Sequence, residues 1–120
     1  MQFMLFVTTD PDAEPHRAED GDLEAWVEEM AGRGVVITSD RLRPPEFAKT
    51  VRVRGDEAIV TDGPFAESKE WIARFEVIEC ADVAEAIEVA SRHPMARFGR
   101  IEVRRAWPLD ESADAGLTRT

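Results

Sequence analysis

The stretch Trp-Ile-Ala-Arg-Phe-Glu-Val-Ile-Glu-Cys, residues 71–80, decides the fold. Large apolar side chains occupy both of its alternating sets, and these sets point to opposite faces of a β-strand. A strand with this pattern is covered on both sides and lies in the middle of a sheet. Residues 2–8 alternate in the same way, with apolar side chains on both faces. The sequence therefore predicts two central strands.

Two amphipathic helices separate the predicted strands. The first has apolar residues at helical spacing and a capping aspartate before them, and the second follows the same rule and ends at a His-Pro pair. The residues concerned are Asp22, Leu23, Trp26, Val27 and Met30 in the first helix, and Asp82, Val83, Ala86, Ile87 and Ala90 in the second. Short strands at 35–38 and about 101–107, and a hairpin between residues 51 and 61, complete the prediction.

Without the hairpin, the element order is β-α-β followed by β-α-β, which is the split pattern of a ferredoxin-like α+β domain. Both helices then cover one face of an antiparallel sheet. Met4, Phe6, Ile72 and Ile78 are expected on the other face, which predicts that a second subunit packs there. One domain is expected over residues 1–107, with a polar C-terminal tail at 108–120.

Composition excludes several classes of function. The chain has 120 residues and a formal charge of −10, so its surface should repel nucleic acid and anionic membranes. It contains one cysteine, which excludes an intramolecular disulfide and favours a cytoplasmic protein. No pattern indicates a metal site or a cofactor. A heme enzyme would need an axial ligand that neither histidine is placed to supply.

Residues 60–70 read Val-Thr-Asp-Gly-Pro-Phe-Ala-Glu-Ser-Lys-Glu and closely resemble the signature of the DGPF branch of YCII-related proteins. Shorter resemblances at 3–8, 42–44, 50–54 and 93–104 extend the similarity over most of residues 1–107. The resemblance implies a homodimer that forms a dimeric α+β barrel. It also implies kinship with small-molecule lyases and monooxygenases, and an association with extracytoplasmic-function sigma factors. A related branch carries a His–Asp pair proposed as catalytic, whose histidine has no evident match here.

The DGPF stretch contains the residues that could perform chemistry. Asp62 ends a strand before a rigid Gly-Pro turn, and a partly desolvated carboxylate beside Phe65 would suit a general base. The charged residues after the turn, Glu67, Lys69 and Glu70, are candidate ligand-binding groups. The alternative is that Asp62 only stabilises the turn and that the later charges are solvated.

Two arginines are further ligand-binding candidates, because the planar guanidinium binds both oxygens of a carboxylate. Arg52 lies on the hairpin, and Arg74 interrupts a set of apolar residues. A salt bridge, for instance to Glu76, is the alternative for either. His16 is interpreted as a loop residue, and His93 as a residue that favours the last turn of its helix.

These residues favour a small-molecule enzyme or ligand-binding protein that uses a cavity between the paired sheets of a homodimer. If it is an enzyme, we expect lyase-like or acid/base chemistry on small aromatic or carboxylate compounds. The alternative is a regulatory interaction module. A cavity on which Asp62, Arg52 or Arg74 converge would favour the first hypothesis.

Overall fold

The computed structural model describes residues 1–13, 22–64 and 70–111. The strands are β1 (Gln2–Thr9), β2 (Val36–Arg41), β3 (Lys49–Arg54), β4 (Glu57–Asp62), β5 (Ile72–Glu79) and β6 (Gly99–Arg105). The helices are α1 (Leu23–Gly32), α2 (Val83–Ser91) and the short α3 (Met95–Phe98), with a 3₁₀ turn at Pro45–Phe47. No helix within these residues has the length and apolar character that crossing a membrane requires.

Four strands form an antiparallel sheet in the order β2-β5-β1-β6. The two strands that are apolar on both faces, β1 and β5, are therefore central, as the sequence predicts. The architecture is α+β and is compatible with a ferredoxin-like fold. The hairpin β3–β4 forms a separate two-stranded sheet.

The hydrophobic core lies between the sheet and the helices. Its buried residues include Phe3, Leu5 and Ile78 from the sheet, Trp26 and Met30 from α1, and Ala86, Val89 and Ala90 from α2. Asp22 and Asp82 cap the two helices by accepting hydrogen bonds from backbone amides in the first turn. The predicted apolar stripe of α2 is wrong at one position. Ile87 was expected in the core but is 49% exposed, whereas Val89 is buried.

The register between β1 and β5 corrects the prediction for the second face of the sheet. Ile78 pairs with Phe3 and is fully buried under the helices, whereas Ile72 pairs with Thr8 on the opposite face. One residue of β5 is skipped between these pairs, and such a bulge reverses the alternation of side chains. Arg74 pairs with the buried Val7 and alternates regularly with Glu76 and Ile78, so it points to the helix side, and not to the opposite face that the sequence pattern predicted for this set.

The other face of the sheet, which we call the open face, carries an apolar patch. Met4, Phe6, Phe75 and Val77 lie there and stay partly exposed. The Arg104 guanidinium lies 5.9 Å from the centroid of the Phe6 ring.

The hairpin β3–β4 exposes an apolar face of its own. Val51 pairs with Val60, and both are about 60% exposed, as is Val53. Asp62 ends β4, and the next residue, Gly63, has a φ of +93°, a conformation that side-chain-bearing residues rarely adopt. The chain bends at Gly63, within the predicted Asp62-Gly63-Pro64 turn.

Candidate functional site

Three polar side chains form a network beneath the helices. Arg74 Nε donates to Glu76 Oε1 at 2.8 Å, and His93 Nε2 lies 2.9 Å from the same oxygen. The side chains of Glu76 and His93 are fully buried, and that of Arg74 is 14% exposed. A buried carboxylate is tolerated only when it is paired and hydrogen-bonded, and these two partners provide that pairing.

A backbone hydrogen bond defines the tautomer of the His93 ring. The backbone amide of Met95 donates to His93 Nδ1 at 3.0 Å, so this ring nitrogen must carry a lone pair. The proton of the neutral ring is therefore on Nε2, from which it is donated to Glu76. The Trp26 ring packs against the imidazole with centroids 4.4 Å apart, and the Trp26 indole donates to the Val89 carbonyl. The corner between α2 and α3 thus holds His93 in one orientation.

The outer end of Arg74 reaches a cleft between α1 and β2, which we call the Arg74 cleft. Arg74 Nη2 donates to Ser39 Oγ at 2.6 Å. The cleft has a volume of about 690 Å³. Its walls are Asp22, Leu23, Glu24, Val27 and Glu28 on the α1 side, and Ser39, Asp40 and Arg41 on β2, with Arg74 contributed by β5.

Not every donor of the Arg74 guanidinium is used within the described residues. A guanidinium has donors on three nitrogens, and Nε and one Nη2 proton are used by Glu76 and Ser39. Within the described residues, the two Nη1 protons and the second Nη2 proton have no further hydrogen-bond acceptor. One proton on each Nη points along the same edge, which is the geometry that binds a carboxylate through both oxygens.

Arg41 adds positive charge beside this edge. It is the cross-strand partner of Arg74, so two like charges lie directly opposite each other on one sheet. Such a pair is unfavourable unless negative charge lies nearby. Bound anions and the acidic residues of α1 can both supply that charge.

Of the predicted site residues that the structure describes, Arg74 alone lies at this cleft. Asp62 has an 83% exposed side chain and forms an ion pair with Lys49 across the hairpin. Arg52 is exposed on the same hairpin, and Glu70 forms an ion pair with Arg100. Phe65, Glu67 and Lys69 lie outside the described residues. The Asp62 and Arg52 roles therefore stay predictions.

Sequence reasoning did not find the Glu76–His93 pair. His93 was predicted in the last turn of the helix, but α2 ends at Ser91 and His93 lies just beyond it. Its approach to Glu76 depends on a contact between residues 17 positions apart in the sequence. Glu76 did carry a signal, because it is a charged residue among apolar ones in a central strand. The Arg74–Glu76 salt bridge, one of the two alternatives from sequence, is present. Among the described residues, no cluster of three His, Cys, Asp or Glu side chains could hold a metal ion.

Comparison with known proteins agrees with the resemblance found in the sequence. Residues 1–110 match the family model of the YCII-related domain. An uncharacterized protein of Rhizobium meliloti (strain 1021) is 41% identical over 69 residues, which cover 58% of this chain and 56% of that protein. The aligned region therefore spans only about half of the relative's length.

Proposed function

This chain belongs to the YCII-related domain family, and we propose that it binds a small carboxylate-bearing molecule in the Arg74 cleft, as a ligand-binding protein or an enzyme. The observation that carries the proposal is the state of Arg74. Its side chain is 14% exposed, is held by Glu76 and Ser39, and lines a cleft of about 690 Å³. Buried arginines held in this way are typical of carboxylate recognition.

The walls of the cleft favour a ligand with one negative charge and an apolar body. Leu23 and Val27 are half-buried and provide apolar surface beside the arginine. Asp22, Glu24 and Glu28 line the same side, and their charges oppose a multiply charged anion such as phosphate. Small aromatic or aliphatic monocarboxylates therefore suit the cleft best.

We also propose that the protein works as a homodimer whose open faces pack together. The apolar patch around Phe6 and Phe75 is the surface that such a pairing would bury. Because Arg74 points to the helix side of the sheet, the carboxylate site in this proposal lies outside the space between the paired sheets. That inter-sheet space remains available for the predicted chemistry of Asp62.

Titration with benzoate, followed by amide and arginine side-chain NMR, tests the carboxylate proposal. Benzoate should shift the resonances of Arg74 and of the first two turns of α1, whereas inorganic phosphate at equal concentration should shift them much less. Arg74→Lys keeps the charge but removes the two-pronged edge, so benzoate affinity should fall by about tenfold or more. Arg52→Gln, on the exposed hairpin, is the matched control and should leave affinity unchanged.

The same titration identifies the alternatives. Loss of benzoate binding in Arg52→Gln, and not in Arg74→Lys, would place the site on the hairpin. Asp62→Asn keeps the side-chain size and should leave benzoate affinity unchanged if the Arg74 cleft is the site. If benzoate shifts no Arg74 or α1 resonance at millimolar concentration, the carboxylate proposal is wrong.

A second function, a regulatory interaction module, is favoured by one observation. The hairpin β3–β4 exposes Val51, Val53 and Val60 on one face, and a two-stranded sheet gains stability when its apolar face is covered. A protein partner could provide that cover. Val60→Lys should then abolish partner binding while leaving the benzoate titration intact.

A further inference from the structure

We infer that His93 is a positioning residue that keeps the binding edge of Arg74 turned toward the cleft, an inference that rests on the proposed carboxylate site. The role is indirect, since Glu76 lies between His93 and Arg74. The argument starts from an unusual feature of Glu76. Its second oxygen, Oε2, is buried and has no hydrogen-bond partner within the described residues.

An arginine and a carboxylate normally pair through two parallel hydrogen bonds. Here Arg74 Nε donates to Glu76 Oε1, but the neighbouring donor, Nη2, is bonded to Ser39 and not to Oε2. The bond from Nη2 to Oε2 that would complete a two-pronged pair is not made, and Oε2 is left without a partner among the described residues. Leaving a buried carboxylate oxygen unpaired is unfavourable, so another contact must hold the carboxylate in this orientation.

His93 supplies that contact. Its Nε2 proton is donated to Oε1, the same oxygen that accepts from Arg74. Turning the carboxylate to present both oxygens to Arg74 would stretch this bond, and the imidazole cannot follow. Its Nδ1 is bonded to the Met95 amide, and its ring packs against Trp26.

The orientation of Glu76 affects the cleft because it determines whether Arg74 stays bonded to Ser39. In this inference, Nη2 stays on Ser39 while Glu76 is held in its one-oxygen contact, and the remaining Nη donors serve the cleft that Arg74 lines. Without His93, Arg74 should close onto both oxygens of Glu76 and release Ser39. The guanidinium would then rotate, and its edge would no longer match a carboxylate in the cleft.

His93→Phe and His93→Gln separate positioning from simple packing. Phenylalanine keeps a ring against Trp26 but donates nothing, whereas glutamine places an amide N–H close to the position of Nε2. Val89→Ala is the matched control, because Val89 is also fully buried on α2 and its side chain is outside the network. Arginine side-chain NMR of the ligand-free proteins and benzoate affinity are the two readouts.

We expect His93→Phe to shift the Nε–H and Nη resonances of Arg74 without ligand and to weaken benzoate binding about tenfold, the effect of one lost hydrogen bond to a charged group. Ser39→Ala should weaken benzoate binding similarly. His93→Gln should restore most of both readouts. Val89→Ala should lower stability but change neither.

Two results overturn the inference. One is an Arg74 spectrum that is unchanged in His93→Phe, and the other is an equal affinity loss in Val89→Ala, which would make the effect one of packing alone. Failure of the carboxylate proposal would give a different pair of results. In that case the wild-type protein would not bind benzoate, while the ligand-free Arg74 resonances would still report whether His93 orients the guanidinium.

Discussion

Replacing Arg74 by Met should destabilise the protein mainly through the carboxylate that it leaves behind. Glu76 would remain fully buried without its cationic partner, with the His93 Nε2 proton as its remaining donor among the described side chains. Removing one partner of a buried ion pair typically costs about 3–5 kcal/mol. Because the stability of a domain of this size is about 5–15 kcal/mol, the variant should fold but with a much smaller margin.

The double variant Arg74→Met/Glu76→Gln separates this effect from the loss of the arginine itself. The glutamine side chain carries no charge, and its amide oxygen can still accept the proton from His93. The double variant should therefore recover about 1–3 kcal/mol relative to Arg74→Met alone. Glu76→Gln alone should cost less than Arg74→Met, since Arg74 retains contact with solvent and Ser39.

Urea unfolding at pH 7 measures all four proteins of this cycle. Tryptophan fluorescence is a suitable probe, because Trp26 is buried against His93 and becomes exposed on unfolding. If the losses of unfolding free energy in the two single variants sum to the loss in the double variant within about 0.5 kcal/mol, Arg74 and Glu76 are not energetically coupled. Should Arg74→Met fail to fold, Arg74→Lys provides a milder starting point for the same cycle.

Further predictions concern the open face, the buried thiol of Cys80 and the packing of Gly99 against the backbone of β1. Phe6→Glu should yield a folded monomer in sedimentation, because Phe6 lies on the open face, whereas Ile78→Glu should unfold the chain, since Ile78 is fully buried; a dimeric Phe6 variant would refute the proposed pairing. Burial raises the pKa of the Cys80 thiol from 9.0 to about 11. The folded protein therefore holds this proton while the unfolded chain releases it, and the free energy of unfolding should fall by about 1.4 kcal/mol per pH unit between these values. Cys80→Ala should show a shallower decline in urea unfolding, and the chain has no tyrosine to mask the difference; parallel slopes would contradict the prediction. Gly99→Ala should cost about 1–3 kcal/mol in thermal unfolding, because a Cβ there would lie 2.5 Å from a backbone carbonyl oxygen of β1. Gly32→Ala is its control, with nothing within 4 Å of the added atom, and an equal loss in both variants would refute the steric argument.

The elements of the fold could be predicted from sequence because their signals are local. Both central strands, both capped helices and the Gly63 turn depend on periodicity, capping residues or glycine, each of which acts within a few residues. The boundaries of the elements differ from the predicted ones by a few residues. The strand predicted at 35–38, for example, is β2 and continues to Arg41. Ile87 was misplaced because the apolar stripe of α2 is wider than the surface against which it packs.

The candidate site was predicted only in part. Arg74 was identified because a charge among apolar residues needs a partner, and Glu76 was named as one possibility. The sequence could not show that Arg74, Glu76 and Ile78 face the helices, because the alternate side chains of β5 are apolar as well. It also could not show that His93, at the end of α2, contacts a strand.

The sequence by itself determined the family, the α+β class and the order of the strands, because these follow from a specific motif and from patterns along the chain. Only the tertiary structure decided which face each side chain of β5 occupies and which polar groups meet under the helices. The physical reason is that both alternating sets of β5 carry large apolar side chains, so the pattern alone does not show which set faces the helices. The skipped residue before Arg74 then separates Ile72 from its own set. The contact between His93 and Glu76, like the cleft beside Arg74, exists only once separate elements have packed together.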